Sequence, residues 1–178
     1  MGPRIAWGRS HSVYRYGTDW VIKFPLLERW IWPKLQERLE RDISISRQYL
    51  GEYFLDTRIV RHPISGAIAT LQPYLVGHYL CRADLDDEDI KGHFEEFIDC
   101  HERMVKAGYA PIELIGHGGV LRRRLSNILV TEGKKLRVID AALLDMMGVE
   151  SSVLIFLAPL LIALVLKRQN STLRFLSS

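Results

Sequence analysis

Residues Val153 to Leu166 read VLIFLAPLLIALVL, fourteen apolar residues without a charge. A run of this kind constrains the fold more than any other segment, because it must be covered by a core, a partner or lipid. A spanning helix takes about 20 apolar residues, and runs of about 10–14 are more often buried or interfacial. Extending the run back to Met146 admits Gly148, Glu150, Ser151 and Ser152, and Pro159 falls in its middle, where a kink is expected. The reading is a buried or interfacial apolar helix. The alternative is a short membrane anchor, for which Lys167 and Arg168 would form a cytoplasmic flank or meet anionic headgroups.

The rest of the chain is ordinary in bulk. At 178 residues one domain is expected. With 48% hydrophobic and 25% charged residues it falls among folded rather than disordered chains. The formal charge of +3 is small and shows no clustering beyond one arginine triplet, so no nucleic-acid partner is expected. Cys81 and Cys100 stand far apart with no CxxC partner, and the histidines lack ligand spacing such as HExxH, which argues against a disulfide framework and a zinc site. Met1 to Ser10 holds no apolar run suited to a signal peptide, and Ala6 occupies the position where myristoylation requires Ser or Thr. The expected location is the cytoplasm, with membrane association through residues 153–166 as its variant.

The pattern along the chain is strand-rich first and helix-rich later. Ile5 to Trp7, Val13 to Tyr16 and Trp20 to Phe24 are β-rich runs around a Gly/Ser turn and the Gly17-Thr18-Asp19 turn. Leu35, Leu39, Ile43, Tyr49 and Leu50 recur at near-helical spacing between Pro33 and Gly51. Thr57 to Val60 and Ala67 to Leu75 read as further strands. The acidic stretch Asp84 to Asp89 suits a helix N-terminus, and Phe94, Phe97, Ile98 and Met104 share one face of the helix that follows. Asn127 to Val130 and Leu136 to Ile139 form a hairpin joined by Glu132-Gly133-Lys134-Lys135. The expected class is α+β.

Three features carry chemistry. The turn Gly8-Arg9-Ser10-His11-Ser12 lies between two strands, where backbone amides can cover phosphates. Lys23 follows in Val21-Ile22-Lys23, similar to the strand lysine that pairs with nucleotide phosphates. Asn127 and Asp140 mark the two ends of the hairpin and offer the hard oxygen donors that Mg2+ requires.

Taken in order, these residues resemble the protein-kinase-like superfamily over about residues 5–142. More narrowly, they are similar to the small bacterial members represented by the PhoP regulatory network protein YrbL and the lipopolysaccharide-kinase-like proteins. The resemblance implies a protein-kinase-like two-lobe fold with a truncated C-terminal lobe and a C-terminal apolar helix. Residues 1–77 would form the strand-rich N-lobe, 78–145 the reduced helical C-lobe, and 146–178 the apolar helix and tail. It also implies ATP and Mg2+ as cofactors. Gly8 and Ser10 would belong to the phosphate-covering loop, cut to a single glycine, and Lys23 would hold the phosphates. Glu40, or Asp42 in the other register, would be the helix partner of Lys23. Gln72 and Tyr74 would lie in the hinge along the adenine, and Asn127 and Asp140 would bind the metal. Ala141-Ala142 replaces the Phe-Gly that often follows the aspartate, which puts control by a swinging Phe in doubt.

The catalytic part departs from that pattern. Kinases place an aspartate about five residues before the metal-binding asparagine to receive the substrate proton. Here that position is Arg122, aligning on His117-Gly118 instead puts Gly119 there, and no aspartate occurs between Asp99 and Asp140. His117 is the imidazole of this loop, Glu113 its nearest acid, and Arg122, Arg123 and Arg124 form a basic triplet able to clamp an anionic substrate. Losing a positioned acid–base group costs about 10²–10⁴-fold in rate. The expectation is an ATP/Mg-binding protein with weak or no phosphotransfer and a regulatory role. Two readings stand beside it: an active small-molecule or lipopolysaccharide-type kinase with a rearranged loop, acting on an anionic small molecule or lipid headgroup at a membrane surface; and an interaction protein that binds no nucleotide.

Overall fold

The β-rich first quarter folds as three antiparallel strands: β1 (Arg4–Trp7), β2 (His11–Tyr16) and β3 (Trp20–Pro25). This computed structural model describes residues 2–7, 11–25, 34–62, 66–115, 125–140, 142–146 and 152–177. Of the residues singled out from sequence, Gly8, Arg9, Ser10, His117, Gly119, Arg122, Arg123, Arg124 and Ala141 are among those outside the described residues. Two further strands, β4 (Arg58–Arg61) and β5 (Ile68–Pro73), complete a five-stranded antiparallel sheet in the order β1-β2-β3-β5-β4. Lys23 thereby lies opposite Val13 on one side and Thr70 on the other.

Helix α1 (Leu35–Leu50) occupies the connection between β3 and β4. Its buried positions Leu35, Asp42, Ile43, Ile45, Ser46 and Leu50 form one broad side of the element. Gly51 stops it at φ 52°, a left-handed conformation that any side chain would strain, and its N–H donates to the Arg47 carbonyl. A short 3-10 turn, Gly51–Tyr53, then leads toward β4.

A second, three-stranded antiparallel sheet has the order β6-β7-β8, from β6 (Gly77–Leu80), β7 (Leu125–Thr131) and β8 (Leu136–Val138). The hairpin β7–β8 follows the expected boundaries closely. Strand β6 was not anticipated, since its four residues carry too little apolar pattern to announce a strand. It packs so near its neighbour that a Cβ at Gly77 would stand 2.3 Å from the Val130 carbonyl oxygen.

Helix α2 (Glu88–Lys106) begins where the acidic stretch predicts, with the Asp87 carboxylate accepting from the N–H groups of Asp89 and Ile90. On its buried face, which also holds His101, Ile90, Phe94, Phe97 and Met104 join Ile43 and Leu50 of α1 and Ile128 and Val138 of the small sheet in one core. Helix α3 (Ser152–Ser177) extends well beyond the apolar run and continues through Pro159 without interruption. No helix among the described residues is long and apolar enough to cross a membrane. The fold is thus a mixed α/β arrangement with two sheets and three α-helices among the described residues.

Candidate functional site

The site forms where the end of β8 meets β3, β5 and α1. Beyond Val138 the chain leaves the hairpin at Ile139, and both ends of that residue's peptide groups are claimed. Its N–H donates to the Asn127 carbonyl at 3.0 Å. Its own carbonyl accepts from Lys23 Nζ and, at 3.1 Å, from Gln72 Nε2. Lys23 reaches it because odd-numbered residues of β3 share one face of the sheet. Asp140 follows immediately, so the acid sits beside the lysine, separated from it by 117 positions in the chain but only one residue at the point of contact.

Asn127 is held at the other end of the hairpin. Its Nδ2 donates to the Glu113 carbonyl at 2.7 Å and its N–H to the Leu114 carbonyl at 3.0 Å. The amide nitrogen being engaged in this way, Oδ1 is the atom available to a cation. The Asp140 carboxylate is 28% exposed, and His11 Nδ1 stands 4.0 Å from its Oδ2. These oxygens suit Mg2+, which binds through one or two protein oxygens and completes its shell with water and phosphate. No group of three or more His, Cys, Asp or Glu among the described residues is arranged as a metal cage.

The electrostatics couple these groups. Burial pushes the Lys23 ammonium below its usual range, and the negative charge of Asp140 opposes that shift. Burial also lowers His11, with Asp140 acting in the opposite direction and Lys23 adding to the fall. Glu113 moves the other way, its carboxyl pushed up to about 7 by burial and by the nearby charge of Asp140. A cavity of about 40 Å³, room for a few water molecules, lies behind Lys23, lined among others by His11, Asp42, Thr70, Gln72 and Asp140.

The structure brings together Lys23, Gln72, Asn127 and Asp140 around the Ile139 peptide. It places Gln72 differently from the hinge role, because the side chain is buried, turned inward, and bonded through Nε2 to Thr57 Oγ1 at 2.6 Å as well as to Ile139. The Tyr74 ring faces outward under the Arg15 guanidinium, 3.5 Å from its centroid. Glu40 does not reach the site. It is exposed on the solvent side of α1 and takes a hydrogen bond from Gln36 Nε2 at 2.7 Å. The acid of α1 that lines the cavity is Asp42, the other register considered from sequence, and two residues of offset on a helix explain the difference in face.

Four participants escaped the sequence reading. His11 stands in the predicted turn but gave no sign that it would meet Asp140. Arg38 and Arg41 contact Asp42 at 3.7 and 2.6 Å, and both also reach Asp145 at 3.1 and 2.6 Å. The i,i+4 spacing of Arg38 and Asp42 was a legible signal. The pairing with Asp145 spans more than a hundred residues and had none.

No known family profile matches the chain, and no curated protein does. Among solved structures, the chain is similar to the Legionella pneumophila Lpg2603 kinase bound to IP6, with a TM-score of 0.53 at 14% sequence identity. The match covers 85% of this chain and 52% of that one, so the chain spans about half of its neighbour's length. At that identity the likeness concerns the fold, and the fold is kinase-like.

Proposed function

We propose that this chain is a kinase-fold protein that binds ATP with Mg2+, transfers phosphate weakly or not at all, and acts in regulation. The observation that carries the reading is the meeting of Lys23 with the residue preceding Asp140, while Asn127 closes the same hairpin. A buried cation beside a carboxylate and an amide oxygen suits a phosphate chain with its metal: Lys23 would meet the phosphate charge, and Asp140 with Asn127 the Mg2+. The two-lobe division at residues 77 and 145, with a reduced C-terminal lobe of the bacterial YrbL type, belongs to this reading. It is supported by the drawing of the larger sheet from residues 4–73 and the smaller from 77–138. The lack of any aspartate between Asp99 and Asp140 supports weak or absent transfer.

An active kinase on an anionic small molecule or lipid headgroup is the second reading. It is favoured by Glu113, an acid held beside Asp140, and by a neighbour described as a kinase bound to IP6. In this reading the arginines around Arg122 clamp the anionic substrate. The exposed leucines of α3, followed by Lys167, would serve a membrane surface.

A thermal-shift titration with Mg-ATP tests the nucleotide reading. At about 100-fold excess over Kd a ligand adds roughly 2.7 kcal/mol, or about 5–10 °C for a chain of this size. A flat response of the wild type leaves the interaction-protein reading in its place. A shift that persists undiminished in Lys23→Ala and Asp140→Ala moves the site elsewhere. A phosphotransfer assay in which Glu113→Gln removes measurable turnover would favour the active kinase.

A further inference from the structure

Among the described residues, the chain before and after Asp140 is held by a set of hydrogen bonds and ion pairs. Upstream, the Ile139 peptide is held by Asn127, Lys23 and Gln72. Downstream, residues 142–145 run between two walls. On one wall the Glu113 N–H donates to the Ala142 carbonyl at 2.9 Å, and the Leu144 N–H to the Pro111 carbonyl at 2.9 Å. The other wall is α1. There the Leu143 N–H donates to Asp42 Oδ2 at 3.3 Å, Arg38 Nη2 donates to the Leu143 carbonyl at 2.8 Å, and Arg38 and Arg41 grip opposite oxygens of Asp145.

We infer that Asp42, Arg38, Arg41 and Asp145 form an ionic clasp that positions Asp140 by fixing the segment that follows it to α1. The buried acid of the helix here serves the chain after Asp140, and the lysine's ammonium takes the Ile139 carbonyl. A surface ion pair could not do this, since exposed pairs are weak and mobile. This one is mostly enclosed: Asp42 is 2% exposed, and the side chains of Arg38, Arg41 and Asp145 are 10%, 22% and 24% exposed. Both arginines share both acids, so no single bond can be rotated away without disturbing the others. The segment cannot shift without separating Asp42 and Arg38, which are largely withdrawn from water, from their partners. Groups that orient a metal-binding side chain without touching the metal typically change metal affinity 10–100-fold when altered.

The inference rests on the reading of Asp140 as a Mg2+ ligand, and its test separates the two. Mg2+ is titrated at fixed ATP, and ATP is titrated in EDTA, for the full chain and for Asp145→Asn, Asp145→Glu and Arg41→Gln, each followed by calorimetry and thermal shift. The expected result is a Mg2+ half-saturation raised about tenfold in Asp145→Asn and Arg41→Gln, partial recovery in Asp145→Glu, and ATP affinity in EDTA within about twofold of wild type. A merely structural role would weaken ATP in EDTA as much as Mg2+, and that outcome overturns the clasp. So does an unchanged Mg2+ half-saturation in Asp145→Asn beside a responsive wild type. A wild type that answers to neither Mg2+ nor ATP overturns the underlying reading of Asp140 itself. Asp145→Asn keeps the side chain's shape, and if it fails to fold, Arg41→Gln carries the same comparison.

Discussion

The two halves of α3 invert the usual rule of what goes inside. Its first half is almost wholly apolar, yet Leu157, Leu160, Leu161 and Leu164 are each half or more exposed. Its second half is more polar, yet Gln169 and Thr172 are buried there beside Leu176. The reason is pairing. Gln169 Oε1 accepts from the Leu114 N–H at 2.8 Å, and its Nε2 donates to the Ile112 carbonyl at 2.9 Å. The amide side chain thus completes the backbone bonding of residues 112–114, which also hold Asn127 and border Asp140. A buried polar group with both ends satisfied costs little, while an exposed leucine stripe remains without a covering layer among the described residues.

The sharpest way to break this comparison is to empty the anchored half. Leu176→Ala, at a position 2% exposed, should lose about 2–5 kcal/mol in chemical denaturation. A loss below about 1 kcal/mol would mean that the end of α3 is not part of the core. Next in size, Gln169→Leu should cost roughly 2–4 kcal/mol despite adding apolar character, because it strands one backbone donor and one acceptor at about 1–3 kcal/mol each. Stabilisation instead would show that the amide is not what docks the helix.

A smaller effect, dependent on pH, follows from Glu113 in the segment that Gln169 secures. Its carboxyl is pushed up to about 7 in the folded chain, above the ordinary value of about 4.5. The folded state then holds its proton more tightly than the unfolded state. Stability from this group is full below about pH 4.5 and is lost as pH rises toward 7. The slope is at most about 1.4 kcal/mol per pH unit, and smaller for a half-buried group. Glu113→Gln should flatten the decline in denaturation midpoint between about pH 5 and 7, and an unaltered slope would place the proton elsewhere. The smallest effect belongs to the exposed half: Leu160→Gln should change stability by about 0.5 kcal/mol or less. A larger loss would show that the leucine stripe is already covered.

Much of the scaffold was legible because it is local. The strand carrying Lys23, the hairpin between Asn127 and Asp140, and the start of α2 at Asp87 follow from alternation, turn residues and a capping carboxylate over a few positions each. The site was legible only in part. Sequence order suggested that Lys23, Asn127 and Asp140 would converge, but a helix register cannot be chosen without the surface it packs on. Hence Glu40 and Asp42 stood as alternatives until the fold put one in solvent and the other against the cavity. The hinge role of Gln72 came from the kinase resemblance alone, whereas in β5 its side chain is buried and bonded inward.

By itself, then, the sequence determined most of the elements and their order, β6 apart: strand patterns of period two, helical stripes of period 3.6, and an apolar run of fourteen residues. Tertiary structure alone decided which polar groups were to be buried. Asp42 with Arg38, Arg41 and Asp145, His11 beside Asp140, and Gln169 against residues 112 and 114 all join positions far apart in the chain. Burial of such groups depends on a partner arriving from elsewhere, and a local pattern of residues carries no record of that arrival.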